Sequence, residues 1–153
     1  MRNPLKTDNS ISLGLLLARL PMGLFFLLAG YAKYSHGVGS FVSKYGGAMP
    51  GWAPPEAGNF YMHAIPYLEV IVGILLIVGF LTRLCGLVGA LMVLSYMIAV
   101  TGVRDASLPF HPNSIYLGLL LMVFLVGPGR ISLDHLLMGR RRRTPARAAA
   151  RTD

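Results

Sequence analysis

The chain is 153 residues long, 54% hydrophobic and only 13% charged, with a mean hydropathy of +0.59. That length makes one domain, and the polar surface that a soluble globule of this size needs is missing, which places the chain among integral membrane proteins. The net charge of +8 crowds toward the C-terminus, and the single cysteine, Cys85, excludes an internal disulfide and a Cys-x-x-Cys redox pair.

Arg2 and Lys6 precede a first apolar run, Ile11–Tyr34. Its 24 residues are too long for the h-region of a signal peptide, and Tyr31-Ala32-Lys33 makes a poor cleavage site. A retained transmembrane helix is predicted instead. Further spans are predicted at Phe60–Leu81, Leu84–Val103 and Pro112–Gly127. At about 1.5 Å per residue the first three cross a hydrocarbon core of roughly 30 Å, whereas the fourth reaches only about 24 Å. The expected fold is all-α, a four-helix membrane bundle over residues 1–138.

The loop 35–59 between the first two spans is rich in Gly, Pro and aromatic residues. Phe41, Tyr45 and Trp52 suit a membrane interface, so this loop is expected to fold back over the mouth of the bundle. Thr82-Arg83 joins spans two and three so tightly that they must be antiparallel neighbours. Gly127-Pro128-Gly129 terminates the fourth span, and Ser132 is placed to cap a short segment through Met138, with Asp134 near its start. Cys85 is expected to pack as a small apolar side chain. Gly23, Gly30, Gly73, Gly79, Gly86, Gly89 and Gly118 lie within spans and predict close helix contacts.

Arg2, Lys6, Arg83, Arg130, Arg140 to Arg143, Arg147 and Arg151 share one side, against Lys33, Lys44 and Arg104 on the other. The positive-inside rule puts both termini in the cytoplasm. The tail 139–153, basic and without aromatic residues, is expected to be disordered and to anchor on anionic lipid rather than bind nucleic acid.

Two charges interrupt the spans. A charge at mid-membrane costs at least about 2.5–3.5 kcal/mol on insertion scales, so such residues pair or face the bundle interior. Arg19 lies eight residues into span one and Glu69 nine residues into span two, which runs the other way. Measured from the span starts, the two fall within about 4–5 Å in depth. A structural Arg19–Glu69 ion pair is expected, with a proton- or quinone-linked Glu69 as the alternative.

Polar groups gather at the outward ends of the spans: Lys33, Tyr34 and His36; Tyr61 and His63; Arg104 and Asp105; His111, Asn113 and Tyr116. Pro112 fits the first position of the fourth helix, with His111 or Asn113 as its cap, and helix-start chemistry alone accounts for these residues as well as a site does. The candidate ligand or proton site comprises Lys33, Glu69, Arg104, His111, Asn113 and Tyr116. The histidines lack ligand spacing, so no metal or haem is expected.

The pieces Arg19, Gly23-Leu24-Phe25, Gly30 and Lys33, then Glu69, Gly73, Gly79 and Thr82-Arg83, then His111-Pro112-Asn113 and Gly127-Pro128-Gly129-Arg130-Ile131-Ser132-Leu133-Asp134 occur in an order that resembles the DoxX family. The resemblance covers about residues 11–138. It implies a small four-helix protein of the bacterial inner membrane, linked to membrane redox systems such as thiosulfate:quinone oxidoreductase or a terminal quinol oxidase. It carries over no catalytic residues.

Three functions compete. The first is a non-catalytic accessory or scaffold subunit of a quinone-linked complex, with other redox subunits as partners. The second is a quinone-binding subunit of an oxidoreductase, in which Lys33, His111, Asn113 and Tyr116 hydrogen-bond a quinone oxygen. No intrinsic cofactor motif accompanies either. The third is a small-molecule channel or exporter formed by a homo-oligomer.

Overall fold

The computed structural model describes residues 4–48, 54–101 and 112–137. It contains helices α1 (Pro4–Ser35), α2 (Val38–Tyr45), α3 (Pro55–Val78), α4 (Thr82–Thr101) and α5 (Asn113–Val126). A 3-10 turn spans Gly46–Ala48, and a short helical turn covers 133–137. There is no strand among the described residues. Three helices are long and apolar enough to cross a membrane, and α5 is a shorter apolar helix. The all-α membrane bundle is thus the fold, and the fourth apolar segment is a helix of only 14 residues, as short as its sequence predicts. Trp52, Arg104, Asp105, His111 and the tail 139–153 lie outside the described residues.

Lipid is as apolar as leucine, so burial alone does not hold membrane helices together, and close backbone contact matters more. The glycines supply it. A Cβ at Gly73 would stand 2.6 Å from Leu27 N and 2.7 Å from Gly23 O; one at Gly30 would stand 2.7 Å from Pro66 O. On the other side of the bundle, a Cβ at Gly86 would lie 2.9 Å from Phe124 N. The bundle is therefore two tight antiparallel pairs, α1 with α3 and α4 with α5. Between them lies a core containing Phe26, Leu76, Cys85, Val93, Leu120 and Val123. Cys85 is buried, as its apolar role requires. Gly118 departs from the expected pattern: it is exposed, with nothing within 4 Å of a Cβ built there.

Gly73→Ala is expected to push α1 and α3 apart, because the atoms in the way are backbone and cannot rotate aside. A loss of about 1–3 kcal/mol follows from overpacking of this kind. Reversible unfolding in mixed micelles measures it, with Gly118→Ala as the neutral control.

These contacts also set the α1–α3 register. Gly30 faces Pro66 and Glu69, Gly23 faces Gly73 and Ile77, and Arg19 faces Gly79. The first fifteen residues of α1 consequently overhang the α3–α4 turn. Ile11, Leu13 and Leu17 on this overhang are exposed, at 51%, 50% and 61%. The irregular backbone of 79–81 and 127–132 therefore sits beside an apolar stretch of α1, not beyond it. The end holding this turn is termed the turn end, and the opposite end, where α1 passes into α2, the loop end.

Candidate functional site

At the loop end, the last turn of α1 carries Lys33 to the level of Glu69 on α3. Lys33 Nζ donates to both Glu69 carboxylate oxygens, at 2.7 Å each. Tyr96 of α4 donates its hydroxyl to Glu69 Oε1 at 3.0 Å. Beside them, Ser95 Oγ donates its only proton to Met92 O at 2.7 Å, so the Tyr61 hydroxyl must be the donor in its 2.6 Å contact with Ser95 Oγ. Three helices thus contribute to one polar cluster. The Glu69 side chain is 1% exposed and the Lys33 side chain 24%, so the site opens on the lysine side.

Two rings complete the surroundings of Lys33. Its Nζ lies 5.4 Å from the Phe41 ring centroid and 5.9 Å from that of Tyr96, both within cation–π range. Phe41 belongs to α2, so the α2 part of the loop folds back over the mouth of the bundle, while residues 49–53, with Trp52, lie outside the described residues.

The expected Arg19–Glu69 pair does not form. Arg19 is level with Gly79, ten residues beyond Glu69 on α3 and roughly 15 Å away along the helix. The expectation started each span flush with its own membrane surface, on opposite sides, but α1 and α3 are staggered by their glycine contacts. Arg19, 2% exposed, instead donates from Nη1 to Pro128 O at 2.8 Å and from Nη2 to Ile131 O at 2.7 Å.

Arg19 thereby satisfies irregular backbone flanked by apolar surface, where unpaired carbonyls are costly. Asp134 does the same for the α3–α4 turn. Its Oδ1 accepts from Leu81 N and its Oδ2 from Thr82 N, both at 2.9 Å, while its own N–H donates to Gly79 O at 3.0 Å. The turn needs this support. Gly79 ends α3 at φ 75°, and Leu81 holds φ 49° without being glycine. Ser132 Oγ accepts from His135 N at 3.1 Å, the predicted cap, and Arg130 N donates to Ser12 Oγ at 3.2 Å. Segment 127–134 is a clasp across the flank of α1 and the facing ends of α3 and α4. Asp134→Ala removes a two-bond cap from the start of α4 and is expected to cost about 1–2 kcal/mol, read as a lowered unfolding midpoint.

The other candidates scatter. Arg104 and His111 lie outside the described residues. Asn113 opens α5 half-buried, and Pro112 occupies the position before the helix rather than the first turn, with no side-chain cap. Tyr116 stacks on Phe25 at 4.9 Å, eight residues along α1 from Lys33, and so lies roughly 12 Å from that level. Tyr96, Tyr61 and Ser95 were missed by sequence reasoning. Tyr96 lies in an apolar run and carries no charge to single it out, whereas Tyr61 was noted only as part of an outward rim.

A sequence model of the DoxX family matches residues 14–102, more than half of the chain. The chain belongs to the DoxX family. It is also 29% identical over 127 residues to Inner membrane protein YqjF of Escherichia coli (strain K12), covering 81% of this chain and 92% of that protein. No solved structure matches. In this DoxX protein, an integral membrane protein, the matched segment holds Arg19, Lys33, Glu69 and Tyr96. The clasp 127–134 follows it.

Proposed function

We propose that this DoxX protein is an accessory or scaffold subunit of a quinone-linked redox complex in the bacterial inner membrane, with both termini in the cytoplasm. The observation that carries this reading is how its two core charges are used. Arg19 is committed to the carbonyls of Pro128 and Ile131, and Glu69 to Lys33 and Tyr96. Both arrangements stiffen a bundle. A stiff bundle with exposed apolar side chains on α1, α3, α4 and α5 suits a part that positions other subunits. The basic residues at the turn end support the orientation.

Quinone contact is the second reading. It is favoured by the loop-end cluster, where the Lys33 ammonium has a third proton beyond the two that Glu69 accepts, and the Tyr96 hydroxyl can turn from Glu69 Oε1 to a quinone oxygen. Purification in mild detergent from native membranes tests both. Co-purifying dehydrogenase or oxidase subunits, identified by mass spectrometry, are expected. Stoichiometric quinone lost from a Tyr96→Phe variant would favour the second reading. A clean homo-oligomer carrying neither would reject both.

A further inference from the structure

The loop-end cluster has the composition of an ammonium receptor. Cations are recognised by aromatic faces, and a carboxylate gives a protonated amine a strong hydrogen-bonding partner. Here Glu69 accepts from Nζ through both oxygens, and the rings of Phe41 and Tyr96 flank the same nitrogen. Tyr96 also donates to Glu69 Oε1, which holds the carboxylate in place. A simple helix-registering salt bridge needs the carboxylate and the lysine but not two rings around the nitrogen.

The wall on the open side is also the least firmly held. Phe41 is carried by α2, none of whose residues is buried. Gly37, at φ 89°, precedes α2, and Gly46 and Gly47 follow it. A helix with no fully buried residue, whose Val38, Phe41 and Val42 are only half-buried, and which is bounded by glycines, is held less firmly than the core helices.

We propose that Glu69, Phe41 and Tyr96 form an alkylammonium-binding box that Lys33 fills as a tethered occupant, and that an external protonated primary amine takes its place when α2 swings aside. The inference goes beyond the subunit role and does not depend on it. The shared ligand chemistry is a primary ammonium on a short alkyl stem. A soluble amine and the headgroup of an ethanolamine phospholipid both carry it.

The test uses the full chain in phosphatidylcholine nanodiscs, with n-propylammonium as probe, since Lys33→Ala deletes that fragment. In Lys33→Ala, n-propylammonium is expected to raise the unfolding temperature saturably, and 1-propanol is not. Adding Glu69→Gln should abolish the response. Wild type should bind the probe about tenfold or more weakly than Lys33→Ala, because tethered Lys33 competes at a millimolar effective concentration. Adding Phe41→Leu to Lys33→Ala should weaken probe binding about two- to fivefold, whereas in wild type the change should be small because Lys33 and the probe lose the same ring contact.

Nanodiscs doped with phosphatidylethanolamine separate the sources. Stabilised Lys33→Ala with blunted probe binding identifies the lipid headgroup, and an unchanged response identifies a soluble amine. Equal effects of propanol and propylammonium, or a response that survives Glu69→Gln, would overturn the proposal. Should Lys33→Ala not fold, wild type decides: no saturable stabilisation by n-propylammonium, or equal stabilisation by 1-propanol, overturns it.

Discussion

Lys33→Met is expected to destabilise the bundle by about 3–5 kcal/mol, the usual cost of leaving one member of a buried ion pair without its partner. The loss arises from Glu69, which is 1% exposed and would keep only the Tyr96 hydrogen bond. Lys33→Met combined with Glu69→Leu should recover most of it, since replacing a whole buried pair with apolar side chains is often neutral. Unfolding midpoints in mixed micelles for wild type, the two single variants and the double variant form the required cycle. Additive losses would mean that the two residues do not act as a pair.

Arg19→Met is expected to have an effect of similar size at the opposite end. It removes two hydrogen bonds from a charged donor to the Pro128 and Ile131 carbonyls, each worth about 1.5–3 kcal/mol. Arg19→Lys should recover only part of the loss, because a compact ammonium does not span two carbonyls as a planar fork does. Hydrogen exchange distinguishes this variant from Lys33→Met. Amides of Leu81 and Thr82, which the clasp holds through Asp134, should exchange faster in Arg19→Met. Those of α2 should change only in Lys33→Met. Matching exchange patterns in the two variants would show that the ends are not independent.

The two predictions concern charges whose importance was legible in the sequence but whose partners were not. Charge inside an apolar run is conspicuous, because membrane insertion penalises it. Partner choice depends on helix register, and register is set by where backbones approach. Gly30 against Glu69 and Gly23 against Gly73 fix that approach. Gly30 places Glu69 one turn from Lys33, and the same contacts carry Arg19 to the level of Gly79. Flush span ends gave no hint of this stagger.

Asp134 shows the same limit. Its position near the start of a short helical turn is readable from Ser132 three residues before His135. Its main bonds, however, go to Leu81 and Thr82, more than fifty residues away. No local spacing encodes that contact.

The sequence by itself determined the class of the protein, its long apolar helices, the short fourth one, the terminator at Gly127-Pro128-Gly129 and the burial of Cys85. These follow from hydropathy, length and backbone chemistry, which act over a few residues at a time. Only the tertiary structure decided which charge meets which group, because that depends on a sliding register between helices. A shift of ten residues separates the expected Arg19–Glu69 bridge from the observed arrangement, and neighbouring glycines, not the charges, set it.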